Sequence, residues 1–131
     1  MSIWGKHVPV SRLVLVVSIL VVGALASVMT RPEAREITLV TRDMAFYVEG
    51  NSTPNPPIEA KPGETLRIVV HNRDRGMTHD FAVPAADAAT DPLNWNDQDA
   101  VTFAAPENPG TYEYVCRPHL LMMKGRLIVR E

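Results

Sequence analysis

Residues 114–125 read YVCRPHLLMMKG, and this stretch decides the fold that the sequence predicts. It carries the single cysteine of the chain, Cys116, followed by His119 and by two adjacent methionines, Met122 and Met123. The residues on both sides include apolar and β-branched side chains, and such runs predict β-strands. A thiol, an imidazole and a thioether therefore fall within one short loop between two predicted strands.

A second histidine, His79, lies upstream at the start of another strand-like run, residues 78–83. One cysteine, two histidines and a methionine form the ligand set of a mononuclear copper site that transfers single electrons. Each residue alone has an ordinary explanation, because histidines at strand starts are mostly surface or core residues and free cysteines are commonly small buried hydrophobes. Their arrangement around one loop that contains Pro118 and ends at Gly125 favours the metal site.

Short apolar runs separated by turn residues continue through the chain from residue 36. Seven or eight short strands in about 100 residues, without a convincing helix, predict an all-β fold, a Greek-key β-sandwich. The acidic region 85–99 is predicted to be irregular. The predicted strands cover residues 36–41, 44–48, 58–60, 65–71, 78–83, 100–103, 111–116 and 126–130.

The first thirty residues differ from the rest, since residues 13–30 form an uncharged run, LVLVVSILVVGALASVMT. As a helix this run would span about 27 Å, close to the roughly 30 Å hydrocarbon core of a bilayer. We favour a single transmembrane helix, because the run is longer than the core of a typical signal peptide; a cleaved secretory signal is the alternative. The predicted division is an anchor at 1–30, a linker at 31–35 and a domain at 36–131.

Both interpretations carry the domain across the membrane. Lys6 and Arg12 precede the apolar run, which favours a cytoplasmic N-terminus. The predicted location is therefore the cytoplasmic (inner) membrane, crossed once, with the C-terminal domain on the periplasmic side. In that oxidising compartment a lone cysteine has no internal disulfide partner, and a bound metal would protect the Cys116 thiol.

The charge balance argues against nucleic acid as a partner. Residues 31–131 hold 11 of the 13 Lys and Arg and all 15 Asp and Glu of the chain. Nucleic-acid binding requires a basic surface, and this part of the chain is mildly acidic.

The loop of residues 116–125, here called the ligand loop, resembles that of the cupredoxins, the blue-copper family of plastocyanin, amicyanin and azurin. Residues 116–119 are similar to the Cys-X-Pro-His of plastocyanin and amicyanin, and residues 123–125 to the Met-Lys-Gly at the end of the azurin loop. Residues 109–116 match the Pro-Gly-X-Tyr-X-Tyr-X-Cys segment that leads into the family's cysteine. The resemblance extends over roughly residues 36–131, and the Cys-His-Met loop is its specific part.

The resemblance implies one mononuclear type 1 copper (Cu⁺/Cu²⁺) site. His79 and His119 would supply the imidazoles, Cys116 the thiolate and Met123 a weak axial thioether that tunes the potential. We favour Met123 over Met122 because Met123 stands in the family's Met-X-Gly register, and Met122 is the alternative.

One departure from the family concerns the residue after the first histidine, which is often Asn in the family and is Asp80 here. We predict that Asp80 pairs with Arg117, or bonds backbone groups, across the two ligand loops. The alternative is that both side chains are solvated.

The function that the resemblance implies is that of a membrane-tethered electron carrier. His119 would be the partly exposed ligand, surrounded by an apolar patch that includes Leu120 and Leu121 and docks a redox protein such as a cytochrome or a membrane electron-transfer complex. The acidic residues between 87 and 99 would steer a basic partner.

Other functions are weighed against this one. The domain could be an accessory or structural subunit of a respiratory or photosynthetic membrane complex, with or without copper. Catalysis is disfavoured, because copper enzymes of related fold place a histidine beside the loop cysteine, where this chain has Val115 and Arg117. A structural zinc site would not need the methionine, and copper storage would favour several exchangeable ligands.

Overall fold

Residues 33–131, the part of the chain that the computed structural model describes, contain nine β-strands and two 3-10 helices. The predicted anchor at residues 13–30 lies outside the described residues. Within them, no helix has the length and apolar content needed to cross a membrane. The strands are β1 (Arg35–Arg42), β2 (Ala45–Val48), β3 (Ile58–Ala60), β4 (Thr65–Asn72), β5 (Ala82–Val83), β6 (Ala88–Ala89), β7 (Gln98–Ala104), β8 (Gly110–Val115) and β9 (Lys124–Val129).

The strands form two sheets, which confirms the predicted all-β sandwich. One sheet has the order β2-β1-β4-β7 and the other β3-β9-β8-β5-β6. Most neighbours are antiparallel, but β1 pairs with β4 and β3 pairs with β9 in parallel. Each parallel pair brings together strands that are distant in sequence, as crossover connections between strands require.

The core lies between the sheets and follows from the alternation of apolar residues along the strands. Leu66, Ile68 and Val70 of β4 are fully buried, while Arg67 between them is exposed. Phe46, Phe81 and Tyr114 add a cluster of aromatic rings with centroids 5.3 to 5.8 Å apart. Such contacts between buried rings stabilise the sandwich beyond the burial of their apolar area.

The hairpin of β8 and β9 carries the ligand loop, and it is tied to the rest of the sandwich by Tyr114. The buried Tyr114 hydroxyl donates a hydrogen bond of 2.6 Å to the carbonyl of Pro56. The Tyr114 ring fills the space beside Gly125, where a Cβ atom would overlap it. The glycine at the end of the loop is therefore required by packing.

The prediction of a continuous strand over residues 78–83 is wrong. Only Ala82 and Val83 belong to a strand, and His79 forms an isolated antiparallel bridge with Leu93. A side chain, and not a continuous series of strand hydrogen bonds, holds this segment. The side-chain amide of Asn72 donates to the carbonyls of Met77 and Leu93 at 2.8 Å each. The region 85–99, predicted as irregular, contains most of the 3-10 helix Pro84–Ala86, the strand β6 and the first two residues of β7.

Candidate metal centre

Three of the predicted ligands converge at one end of the sandwich. One ligand atom from each of His79, Cys116 and His119 lies within 4.8 Å of the other two. The Cys116 Sγ atom is 3.6 Å from Nδ1 of His79 and 3.5 Å from Nδ1 of His119. The two imidazole rings are tilted by 59° with their centroids 4.9 Å apart.

Backbone hydrogen bonds close the loop that holds two of these side chains. The Cys116 N–H donates to the carbonyl of Met123 at 2.9 Å, so the two ends of the loop are paired. The His119 N–H donates back to the Cys116 carbonyl at 3.0 Å, within the 3-10 helix Arg117–His119 that Pro118 helps to start. The fixed φ of proline favours this first turn, and His119 is thereby directed back toward the cysteine.

His79 reaches the cluster from a different loop, which is built around the buried side chain of Asn72. The Asn72 Oδ1 atom accepts from the Thr41 hydroxyl at 2.9 Å and from the Asp74 N–H at 2.8 Å. Its amide nitrogen donates to the carbonyl of Met77, two residues before His79, and to that of Leu93, the bridge partner of His79. All four hydrogen-bonding positions of the amide are thus used, which fixes the loop that carries His79.

The predicted contact between Asp80 and Arg117 is confirmed. The Asp80 carboxylate is buried and accepts from the Arg117 N–H at 2.7 Å and from the Arg117 Nε at 2.6 Å. The rest of the guanidinium reaches the carbonyl of Thr90 at 3.4 Å. This residue pair therefore joins the His79 segment to the Cys116 loop.

Two ionisable groups of the cluster, His79 and Cys116, have pKa values shifted toward their neutral forms. Burial lowers the pKa of His79, although the hydrogen bond that Asp74 accepts from the ring acts in the opposite direction. Burial also raises the pKa of the Cys116 thiol. The thiol accordingly needs a cation to hold it as thiolate, and a bound metal ion favours that form.

The geometry fits a single metal ion held by these atoms. A metal bonded to sulfur at about 2.3 Å and to imidazole nitrogen at about 2.0 Å brings the two donors to about 3.6 Å of each other at near-trigonal or tetrahedral angles. The Sγ to Nδ1 distances of 3.5 and 3.6 Å match that separation. The cluster is consistent with one mononuclear type 1 copper site, whose ligands are two histidines and a cysteine with a weak axial group.

The adjacent methionines occupy different environments. Met123 is fully buried in the core, whereas Met122 is 60% exposed.

His119 is half-buried, and its neighbours Leu120 and Leu121 are exposed, Leu121 to 94%. His71, which the sequence did not assign to the site, lies half-buried within β4 and outside the cluster.

Sequence reasoning missed Asp74. Its carboxylate lies 3.0 Å from Nε2 of His79, on the side of the ring opposite the cluster. Burial acts to raise the pKa of Asp74, but hydrogen bonds donated by Met44 N–H and by His79 hold it below its usual value. Asp74 lies in the polar run 72–76, and nothing in the sequence distinguishes it from the solvated acidic residues of other loops.

A family model described as a cupredoxin-like domain matches residues 13–129. No curated protein matches the chain by sequence. Several solved structures share the fold of this chain, with sequence identities of 21% or less.

Auracyanins are among these structures. Auracyanin from the photosynthetic bacterium Roseiflexus castenholzii has a TM-score of 0.60 and 18% identity, over 75% of this chain and 98% of that one. Auracyanin A, a "blue" copper protein from the green thermophilic photosynthetic bacterium Chloroflexus aurantiacus, has a TM-score of 0.58 and 21% identity, over 75% of this chain and all of that one. A third match, the copper nitrite reductase from Nitrosomonas europaea, has a TM-score of 0.60 and 21% identity but covers 74% of this chain and 41% of that one.

Replacement of Asp80 by alanine should destabilise the metal-free domain. The substitution leaves the Arg117 N–H without its buried acceptor, which costs about 1–3 kcal/mol. Asp80→Asn keeps an oxygen for that N–H and should cost less. The measurement is the midpoint of urea unfolding at unchanged m-value, with Asp97→Ala, at an exposed aspartate of the neighbouring loop, as the control. A midpoint for Asp80→Ala equal to that of the natural protein would show that the link contributes nothing to stability.

Proposed function

We propose that this chain, which belongs to the cupredoxin-like domain family over residues 13–129, is a membrane-tethered carrier of single electrons. The observation that carries the proposal is the cluster of His79, Cys116 and His119, with its sulfur and nitrogen atoms directed at one another. Copper bound there would supply the chemistry, a reversible change of one electron. The protein's own residues bind the ion, exclude water from it and present one edge of the site to a partner.

The burial of the ligands supports a site that keeps its shape. His79 and Cys116 are fully buried, and both loops that carry them are fixed by buried hydrogen bonds. A rigid ligand frame changes little when the charge on the bound ion changes, and small rearrangement favours fast electron transfer. The half-buried His119 is the member of the cluster through which an electron would leave.

We assign the axial position to Met123. Its complete burial and the hydrogen bond from Cys116 N–H to its carbonyl support this assignment over the exposed Met122. A thioether in that position tunes the relative stability of the two oxidation states and contributes little to holding the ion.

The partner that we propose is a redox protein that docks over His119. The large apolar side chains that are exposed among residues 33–131 lie in the ligand loop or in loops hydrogen-bonded to Asn72. They are Met77, Trp95, Leu120, Leu121 and Met122. Exposed apolar side chains beside His119 suit brief docking, since they exclude water without burying a large area.

Tethering and location are also part of the proposal. Residues 13–30 would anchor the protein in the cytoplasmic membrane, with the domain on the periplasmic side. The chain then moves an electron between periplasmic or membrane-bound partners, and no catalysis is assigned to it.

A second candidate function is that of a fixed subunit of a membrane electron-transfer complex. The exposed apolar side chains of the ligand loop favour the fixed subunit, because a permanent neighbour would cover these residues. Stoichiometric co-purification with a large complex after detergent extraction would support the subunit, and isolation as a free protein would support the carrier.

Replacement of Met123 by leucine should raise the reduction potential of the copper-loaded domain and leave its copper content unchanged. The reason is that a thioether donor stabilises the more highly charged oxidation state, and each tenfold difference between the states corresponds to about 59 mV. Leucine has nearly the same volume, so the core should tolerate it. Voltammetry of Met123→Leu beside Met122→Leu provides the test. A shift in Met122→Leu alone would move the axial assignment to Met122.

Replacement of Leu121 by glutamate should slow electron self-exchange by about tenfold or more. Two copies must bring their His119 edges together to exchange an electron, and opposed carboxylates at that contact repel each other. The absorption spectrum and the potential should stay unchanged, because the Leu121 side chain is almost fully exposed.

The matched control for Leu121→Glu is Thr111→Glu, which adds the same charge at an exposed position in β8, five residues before Cys116 along the chain. The exchange rate of both variants is measured by nuclear magnetic resonance on mixtures of reduced and oxidised protein. Equal rates in the two variants would contradict docking over His119.

A further inference from the structure

The two ring nitrogens of His79 face two different partners. Nδ1 lies 3.6 Å from the Cys116 sulfur, and Nε2 lies 3.0 Å from Oδ2 of Asp74. An ionised carboxylate only accepts hydrogen bonds, so the imidazole hydrogen is on Nε2 and the lone pair of Nδ1 faces the cluster. That tautomer is the one in which His79 is ready to bind a metal ion.

Asp74 is itself held by groups outside the cluster. The Asp74 Oδ2 atom also accepts from the Met44 N–H at 2.9 Å. The backbone N–H of Asp74 donates to the side-chain oxygen of Asn72 at 2.8 Å. The side chain is only 18% exposed. The carboxylate is therefore fixed in position before any metal binds.

The turn that supplies the Met44 N–H has a conformation that non-glycine residues seldom adopt. Asp43 and Met44 take φ values of 49° and 58°, in the left-handed region. Such backbone costs about 1 kcal/mol or more per residue and persists where its surroundings maintain it. This turn places the Met44 N–H where it donates to the Asp74 carboxylate.

From this geometry we propose that Asp74 is a positioning residue, whose carboxylate fixes the tautomer and the rotation of the His79 imidazole and makes its Nδ1 a stronger donor. This inference deepens the proposed function and, for its copper readouts, rests on it. A carboxylate hydrogen-bonded to the far nitrogen of a metal-binding histidine orients the ring and increases its basicity. A stronger donor stabilises the more highly charged oxidation state, so Asp74 lowers the potential of the site.

His119 provides the contrast within the same cluster. It is half-buried and sits in the 3-10 turn, and among the described residues no acidic side chain bonds its ring. The two imidazoles thus have different tasks. His79 is the held, strongly donating ligand, and His119 is the ligand at the surface.

The test uses three variants of the full chain: Asp74→Ala, Asp74→Asn and the control Asp97→Asn. Asp97 is exposed and caps the N–H of Asn94 in a loop that neighbours the His79 bridge, so the control removes the same charge without touching His79. Asparagine at position 74 keeps an oxygen that accepts from Nε2–H but carries no charge. The alanine variant removes both the acceptor and the charge.

The first readout needs no copper. In the metal-free protein the ¹⁵N shifts of the His79 ring should show Nε2–H alone in the natural protein, in Asp74→Asn and in Asp97→Asn. Asp74→Ala should show both tautomers. An unchanged Nε2–H pattern in a folded Asp74→Ala variant would overturn the positioning role, whatever copper does.

The second readout uses the copper-loaded protein. Asp74→Ala should bind copper about 10–100-fold more weakly, and Asp74→Asn should have a higher potential than Asp97→Asn. A tenfold preferential loss of the oxidised form corresponds to about 59 mV. Equal potentials in Asp74→Asn and Asp97→Asn would overturn the donor role, and this comparison decides the matter if Asp74→Ala does not fold. If the natural protein takes up no copper, the proposed function fails while the tautomer result still stands.

Discussion

The buried carboxylate of Asp80 joins the two chain segments on which the cluster depends. His79 comes from the segment after β4, and Cys116 and His119 come from the loop between β8 and β9, so nothing in local sequence brings them together. Asp80 follows His79 directly and binds both the backbone and the side chain of Arg117, which follows Cys116 directly. A charge-assisted hydrogen bond between the residues next to two ligands leaves those ligands little freedom relative to each other.

The rest of the site is arranged in the same way, by buried polar groups whose partners are complete. Asn72 holds the loop before His79, and Asp74 holds the far side of its ring. Among residues 33–131 no buried side-chain nitrogen or oxygen is left without a hydrogen-bond partner. Because an unsatisfied buried polar group is costly, these contacts specify one arrangement and disfavour others. The ligand frame is thus set by the protein before a metal ion arrives.

The sequence predicted the sandwich and the members of the cluster, because both depend on patterns that can be read along the chain. Alternation in β4 predicted which residues are buried, and the Cys-X-Pro-His spacing predicted the loop. The segment around His79 was predicted less well, since side-chain bonds from Asn72 replace the strand ladder there. Asp74 was missed because its partner is five residues away across a loop whose shape depends on the turn at Met44.

Whether Cys116 and two histidines hold one copper ion is tested most directly by the visible absorption spectrum of the copper-loaded domain beside that of its Cys116→Ser variant. A copper ion bonded to the Cys116 thiolate should give a strong blue band from the thiolate-to-copper transition, which bleaches on reduction, returns on oxidation and is absent in Cys116→Ser. A folded, copper-loaded protein without that band, or a band that survives in Cys116→Ser, would contradict this copper site.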